Sequence, residues 1–456
     1  MFLAMYEDGA FRPKLADRLG ERHPHYDGIE DQRKKPTTVG RTKRMAIPPS
    51  DRTRSKKFRS MECSWEDEEL TFLFNLSRSR GVAPSPSSAP PPEILTVTVS
   101  DLSRGGAGVA REPGGRVIFV PRSAPGDRLR VRLVSEKKHY AQAEIVEVLE
   151  RSPLRQDAPC PVFGRCGGCE WQHLPYELQW KTKASGSRHA LERVGLAVPD
   201  ADWREFPAER VWQYRNRVQL RGKGGEIGFF AARSHDLVAI DHCPIARPEI
   251  NAALGETRAE GAGLGREYKV EVEVLADGRL RKTWNSGHAA AGFRQVHDEQ
   301  NALLQSYVAS RLSPGRLLLD LYGGSGNLSL ALAGTMSEIH CVDLGSPAQA
   351  PAGTPPNFRF HRSAVLPWLL RQAPSGAPVS AVLDPPREGV GEQFSEIAAR
   401  LEKLGCDEIV AVGCEADSWA RDLSRFARRG WTLRAAAALD FFPQTHHVES
   451  VGFLTR

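Results

Sequence analysis

From about residue 291 to the C-terminus, short apolar runs of strand length alternate with amphipathic stretches of helix length, and few folds satisfy that alternation. Strands that pair in parallel need a crossover between them, and a helix supplies it. RLLLDLY (316–322), EIHCVD (338–343), FRFHR (358–362), VSAVLD (379–384), EIVAVG (408–413), TLRAAAALD (432–440) and ESVGFLT (449–455) predict strands. Helices are predicted near 298–311, 327–335, 392–404 and 416–429. The fold class implied is α/β, with a Rossmann-like doubly wound sheet, and such sheets bind ligands outside the carboxyl ends of their strands.

Four motifs fall at those ends. LLLDLYGGSGNLSLALA joins a buried strand to a turn with Gly323, Gly324 and Gly326, which lets backbone approach a ligand closely. Its G-G-x-G-N spacing is not the dinucleotide fingerprint G-x-G-x-x-G. The second strand ends in Asp343, a carboxylate able to accept both hydroxyls of a ribose. Adenosine binding is expected, with NAD and S-adenosylmethionine both open on these residues alone. Asp384-Pro385-Pro386-Arg387 is a stiffened loop that presents an acid. Cys414 ends the next strand and precedes the helix ADSWARDLSRFARR, where a helix N-terminus is expected to lower a thiol pKa.

At 456 residues the chain needs more than one core. Residues 1–92 are rich in Arg, Lys and Ser, close with VAPSPSSAPPP, and are expected to be disordered, apart from a short amphipathic helix over 61–76. A translation start further downstream is the alternative for that segment. Acidic Glu7 and Asp8 precede any basic residue, and no run reaches the roughly 20 apolar residues of a membrane span. A cytoplasmic, membrane-free protein is expected. Residues 93–150 read as short strands broken by glycines, a small β-barrel with Arg128, Arg130 and Arg132 on one outward face. That face suits a polyanion, or is simply solvated. Residues 151–290 hold a helical stretch, YELQWKTKASGSRHALERVG, and then β-rich sequence.

The net charge of +6 is uneven, since residues 1–60 carry 15 Lys/Arg against 8 Asp/Glu. Two basic clusters lie further on: nine Lys/Arg against three acids over 104–138, and Arg210, Arg215, Arg217, Arg221 and Lys223 interleaved with Trp212 and Tyr214. These two aromatics are candidates for base stacking or for core. Of eight cysteines, Cys160, Cys166 and Cys169 follow a C-x5-C-x2-C spacing, and Cys243 makes a distant fourth.

The stretches CPVFGRCGGCEWQHLPYELQWK, QYRNRVQL, IDHCPI, FRQVHDEQN, LDLYGGSGN, LDPPREG, VGCEADSWARDL and DFFPQTHHVESV together resemble the RNA uracil-5 methyltransferases of the TrmA/RumA type. The likeness covers residues 93–456 and is strongest to rRNA-type members with a TRAM domain and a [4Fe-4S] cluster. It implies a TRAM barrel over 93–150, a cluster-bearing RNA-binding domain over 151–290, and a class I methyltransferase domain over 291–456. The implied reaction is S-adenosylmethionine-dependent methylation of uracil C5 in RNA, 23S rRNA by preference, by a monomer. Cys414 would be the nucleophile and Glu449 the base, with Gln295, Tyr322, Asn327, Asp343 and Asp384 as cofactor and active-site contacts. Cys160, Cys166, Cys169 and Cys243 would hold the iron-sulfur cluster, or a zinc ion with the same donors.

Three departures from the family pattern stand out. Glu415 and Ala416 replace the usual Asn-Pro after the cysteine, LGSPAQAPAGTPPN (344–357) replaces a helix, and Ser363 stands where an amide or acid is common. An RNA-binding protein of the same fold with lost or weakened catalysis is the alternative reading.

Overall fold

The computed structural model describes residues 93–286, 294–374 and 376–456. The expected disorder of 1–92 and the helix over 61–76 lie outside these. Among the described residues, no helix is long and apolar enough to cross a membrane.

Five strands, β1 (Ile94–Leu102), β2 (Gly108–Arg111), β3 (Val117–Val120), β4 (Arg128–Glu136) and β5 (Tyr140–Glu150), close into a barrel in the order β1-β2-β3-β5-β4. Closure leaves no strand edge open. Alternation along β4 turns Leu129, Val131 and Leu133 into the barrel core. The outward arginines are not the free basic face expected from sequence. Arg128, Arg130 and Arg132 pair across the barrel wall with Glu150 (2.6 Å), Glu147 (2.9 Å) and Glu144 (3.0 Å). Exposed pairs of this kind add little stability, but they neutralise the face.

After the barrel come α1 (Tyr176–Arg193), β6 (Trp203–Phe206), β7 (Arg217–Lys223), β8 (Glu226–Phe230), β9 (Leu237–Ala239), α2 (Pro248–Ala262), β10 (Tyr268–Val274) and β11 (Leu280–Trp284). A five-stranded sheet, β11-β10-β7-β8-β9, packs one face on α2, with Leu220, Ile227, Val270, Val272, Ile250 and Leu254 between them. The helix α2 was not anticipated from the β-rich sequence around it; Pro248 at its first turn starts it.

The C-terminal part contains α3 (Asp298–Ala309), β12 (Leu317–Leu321), β13 (Glu338–Asp343), β14 (Phe358–Arg362), α4 (Val365–Leu370), β15 (Val379–Leu383), α5 (Phe394–Lys403), β16 (Cys406–Gly413), α6 (Ala416–Ala427), β17 (Thr432–Leu439) and β18 (Glu449–Thr455). Its sheet runs β14-β13-β12-β15-β16-β18-β17-β6, with β18 antiparallel to both neighbours. All seven predicted strands are present. The eighth, β6, comes from residues 203–206, inside the span read as a separate central domain, and pairs in parallel with β17. Helix α1 from that same span packs against α6.

One predicted helix is corrected. Over 327–335 the chain forms turns and a single 3-10 segment, Leu330–Leu332. Only seven residues separate Gly326, at φ +80°, from Gly334, and β13 starts four residues later. The carbonyls of Ala333 and Met336 accept from Asn357 Nδ2 (2.8 and 3.0 Å) instead of from a helical N–H. The Pro/Gly-rich segment 344–357 holds neither helix nor strand.

Candidate active site

The carboxyl ends of β12, β13, β15 and β16, with the start of β18, bring the acidic and thiol groups together. Tyr322, just past β12, has φ +64°, a region costly for a residue with a Cβ. Its N–H donates to Val342 O (2.9 Å), which fixes the turn against β13. Gly323 follows because nothing larger fits: a Cβ there would lie 2.4 Å from Asp320 Oδ2 and 2.7 Å from Cys341 Sγ. Asp320 itself is buried, is pushed up to about 6 by that burial, and leaves Oδ1 without a hydrogen-bond partner. Sequence reasoning passed over it, and the only signal was its place at the strand end.

Asn327 exchanges two side-chain hydrogen bonds with Asn301 of α3 (3.0 and 2.8 Å). Asp343 accepts from Gly345 N (2.5 Å), and its carbonyl accepts from Ser363 N (3.2 Å). The departure at Ser363 therefore leaves that residue tied to the Asp343 turn. Gln295 is buried, and its carbonyl accepts from Asn216 Nδ2 (2.9 Å).

Three acids share one desolvated place. Burial, then the Glu449 and Asp384 carboxylates, push the Cys414 thiol up to about 12, with Arg387 opposing. Burial, then Asp320 and Asp343, push Asp384 up to about 7. Glu449 is raised well above the carboxylate range by burial and by Asp384. The expectation of a thiol pKa lowered by the helix N-terminus is thus corrected: desolvation beside two carboxylates outweighs the helix. Arg387, adjacent to the Pro-Pro pair, is the cation that opposes the rise in Cys414 and Glu449.

The loops bearing these groups are bolted to one another. Ser418 Oγ donates to Arg387 O (2.6 Å), Arg425 donates to Gly391 O (3.0 Å), and Val390 N donates to Asp422 Oδ2 (2.7 Å), so the Asp384 loop is held by α6. Glu415 caps that helix, its carboxylate accepting from Ser418 N (2.8 Å). The unusual residue after Cys414 thereby preserves the helix start.

The segment leading to Glu449 is pinned as firmly. Lys183 of α1, fully buried, donates to Asp440 Oδ1 (2.8 Å) and Phe442 O (3.0 Å), while Tyr176 OH donates to Asp440 Oδ2 (3.0 Å). Gln444, at φ +71°, is clamped by Gln179 and accepts from the Glu170 and Trp171 N–H groups (3.0 Å each). Tyr214 donates to Pro443 O (3.1 Å) and stacks on His297 at 4.8 Å, fully buried. It is core, not a free stacking platform; Trp212 packs beside it. Around it, Arg210 pairs with Glu299 (2.9 Å), Lys223 with Glu267 (2.5 Å) and Arg217 with Glu271 (3.9 Å), so this basic run is largely met within the protein.

A cleft of about 1360 Å³ opens onto Cys414. The barrel contributes Arg104, Phe119, Arg122 and Tyr140 to its walls, and the cysteine loop, α1, Arg387, His446 and His447 complete them. His446 Nδ1 lies 3.2 Å from Glu170 Oε2. Burial, His446 and Arg387 hold His447 down at about 4, so its imidazole is neutral at ordinary pH.

Comparisons with known proteins bear on the family and the fold. Residues 93–146 match the TRAM domain model. An uncharacterized RNA methyltransferase of Bdellovibrio bacteriovorus is 32% identical over 379 residues, covering 79% of this chain and 94% of the relative. The chain belongs to the RNA uracil-C5 methyltransferase family. Within that family, the 23S rRNA (uracil(1939)-C(5))-methyltransferase of Chromohalobacter salexigens is 29% identical, with 79% of this chain and 89% of that protein aligned. The fold matches a crystal structure of the Pyrococcus abyssi tRNA (uracil-54, C5)-methyltransferase at a TM-score of 0.58, with 22% identity over 79% of this chain and 99% of that one.

The four cysteines of the family pattern are neighbours. Burial raises Cys166, Cys169 and Cys243; the Cys243 and Cys160 thiols add to the rise in Cys166, and those of Cys243 and Cys166 to the rise in Cys169. Among the described residues, no group of three or more His, Cys, Asp or Glu is arranged to hold a metal ion.

Proposed function

We propose that this protein transfers the methyl group of S-adenosylmethionine to C5 of a uracil in RNA, with 23S rRNA as the substrate, through a covalent bond between Cys414 and C6. One observation carries the reading: Cys414, Asp384 and Glu449 act on one another in a single buried place at the rim of a cleft open to a large ligand.

The cofactor has a fitting place. Asp343 ends β13 beside a turn in which Gly324 meets no obstruction, and the buried Asp320 Oδ1 lacks a partner there. When bound, S-adenosylmethionine supplies an electrophilic methyl group. Uracil C5 is too weak a nucleophile to take it unaided. The Cys414 thiol gives up its proton to solvent, and attack of the thiolate on C6 moves the electron pair of the C5–C6 double bond towards the O4 carbonyl, leaving an enolate with nucleophilic character at C5. After transfer, C5 still holds its proton. Glu449, having given its own proton to solvent, takes the C5 proton as a carboxylate made more basic by burial, the C5–C6 double bond re-forms, and the sulfur leaves as thiolate. Asp384, near neutral pKa, and Arg387 set the charge around these steps.

By donor count the four cysteines match a [4Fe-4S] cluster, which takes four thiolates, although the described side chains are not arranged as a metal site. Cys160, Cys166, Cys169 and Cys243 would hold it, tying the 160–169 loop to the segment after β9. Methyl transfer moves no electrons, so the part of such a cluster would be to fix that loop, whose Glu170 and Trp171 grip the Gln444 turn.

RNA labelled with tritium at uracil C5 tests the reaction. With S-adenosylmethionine and 23S rRNA transcribed without modification, tritium should pass into water one for one with methyl groups incorporated. Methyl incorporation without tritium release would place the methyl group elsewhere and end the proposal.

A further inference from the structure

Asp417 stands in the first turn of α6, three residues after Cys414. It takes a bidentate pair from Arg104 (Nη1–Oδ1 2.5 Å, Nη2–Oδ2 2.8 Å) and a second guanidinium, from Arg193. Arg104 lies in the loop between β1 and β2, and Arg193 ends α1. All three side chains line the cleft that holds Cys414.

Arg104 is seated there by an absence in α1. A Cβ at Gly186 would lie 2.9 Å from Arg104 Cγ and 3.0 Å from Cδ. A glycine inside a helix is unfavourable relative to alanine. The missing methyl group makes room for the arginine stem. The partners are nonetheless half open to solvent, Asp417 at 44%, Arg104 at 32% and Arg193 at 48%.

Two guanidinium forks converging on one accessible oxyanion form the arrangement that a phosphodiester fits. We propose that Arg104 and Arg193 are a phosphate-binding pair at the rim of the Cys414 cleft, occupied by Asp417 in the free protein and by an RNA phosphate in the complex. This rests on the RNA-methylating function proposed above. The exchange replaces one anion by another, so both guanidinium groups keep a partner throughout. Release of counterions from the RNA favours it.

The test uses the full chain and a fluorescein-labelled oligouridylate, followed by fluorescence anisotropy across a salt series. Asp417→Asn should bind the probe about three- to tenfold more tightly, because the arginines no longer have to be vacated. Arg104→Ala and Arg193→Ala should weaken binding and each flatten the salt slope by about one. The gain from Asp417→Asn should vanish on an Arg104→Ala, Arg193→Ala background. If Asp417 only clamps the barrel to α6, Asp417→Asn lowers Tm and leaves affinity unchanged or weaker; a gain that persists without the arginines is a general charge effect. Either result overturns the proposal. Methylation is not read here, so a tighter Asp417→Asn complex alongside absent uracil methylation would keep the phosphate pair and remove the function. A wild-type chain that does not bind oligouridylate removes both.

Discussion

Glu449→Gln should stall as a covalent protein–RNA complex on ordinary, unmodified substrate RNA, with turnover down by about 10²–10⁴-fold. The reason lies in the order of steps. Attack by Cys414 and methyl transfer need no base at C5, whereas elimination of the sulfur cannot begin until the C5 proton has gone. Glu449 is buried on β18 and lies close enough to Cys414 to raise its pKa, and in the proposed mechanism it serves that last step. Gel mobility under denaturing conditions reports the complex directly. The stalled RNA should already carry the methyl group from S-adenosylmethionine. A Glu449→Gln protein that turns over freely, or that binds RNA without any adduct, would show that the proton leaves by another route.

Asp384→Asn should make the free protein more stable at pH 8 while nearly abolishing methyl transfer. Asp384 is half-buried, and desolvation pushes its pKa up to about 7 in the folded chain against 3.8 in an unfolded one. A raised folded pKa means that the fold favours the protonated form. Its stabilising contribution is therefore full below about pH 4 and is lost as pH rises through about 7. Above that, the wild type carries a desolvated charge that asparagine does not. The difference reaches at most about 4 kcal/mol at pH 8 and shrinks towards zero near pH 4. Thermal denaturation of both proteins without ligands, at pH 4.5 and pH 8, measures it as a Tm gap of several degrees present only at the higher pH. Parallel Tm curves would contradict the burial of this acid. Activity purchased with a destabilised site is a common trade.

Much of this arrangement is legible in the sequence because periodicity and strand-end position are local properties. The seven apolar runs after residue 315 are strands, and the acids and thiol singled out at their ends do share one region. What escaped depends on contacts between distant residues. The Arg128, Arg130 and Arg132 stripe reads as a basic face until the β4–β5 register places glutamates opposite each arginine. Tyr214 reads as either a base-stacking candidate or core until it is seen buried against His297. The lowered thiol pKa expected for Cys414 considered only the helix behind it, and desolvation by the whole fold reverses the sign. Strand β6 is four residues of ordinary sequence, WREF, and only the sheet edge left open by β17 recruits it.

The central claim is that Cys414 bonds to the target base, and a 5-fluorouracil-containing substrate RNA tests it most directly, since fluorine cannot be removed as a proton and the adduct cannot resolve. Incubation with S-adenosylmethionine, followed by protease digestion and mass spectrometry, should find the methylated nucleotide on the peptide containing Cys414, and Cys414→Ala should give none. An adduct that survives in Cys414→Ala, or that maps to another cysteine, would contradict the account.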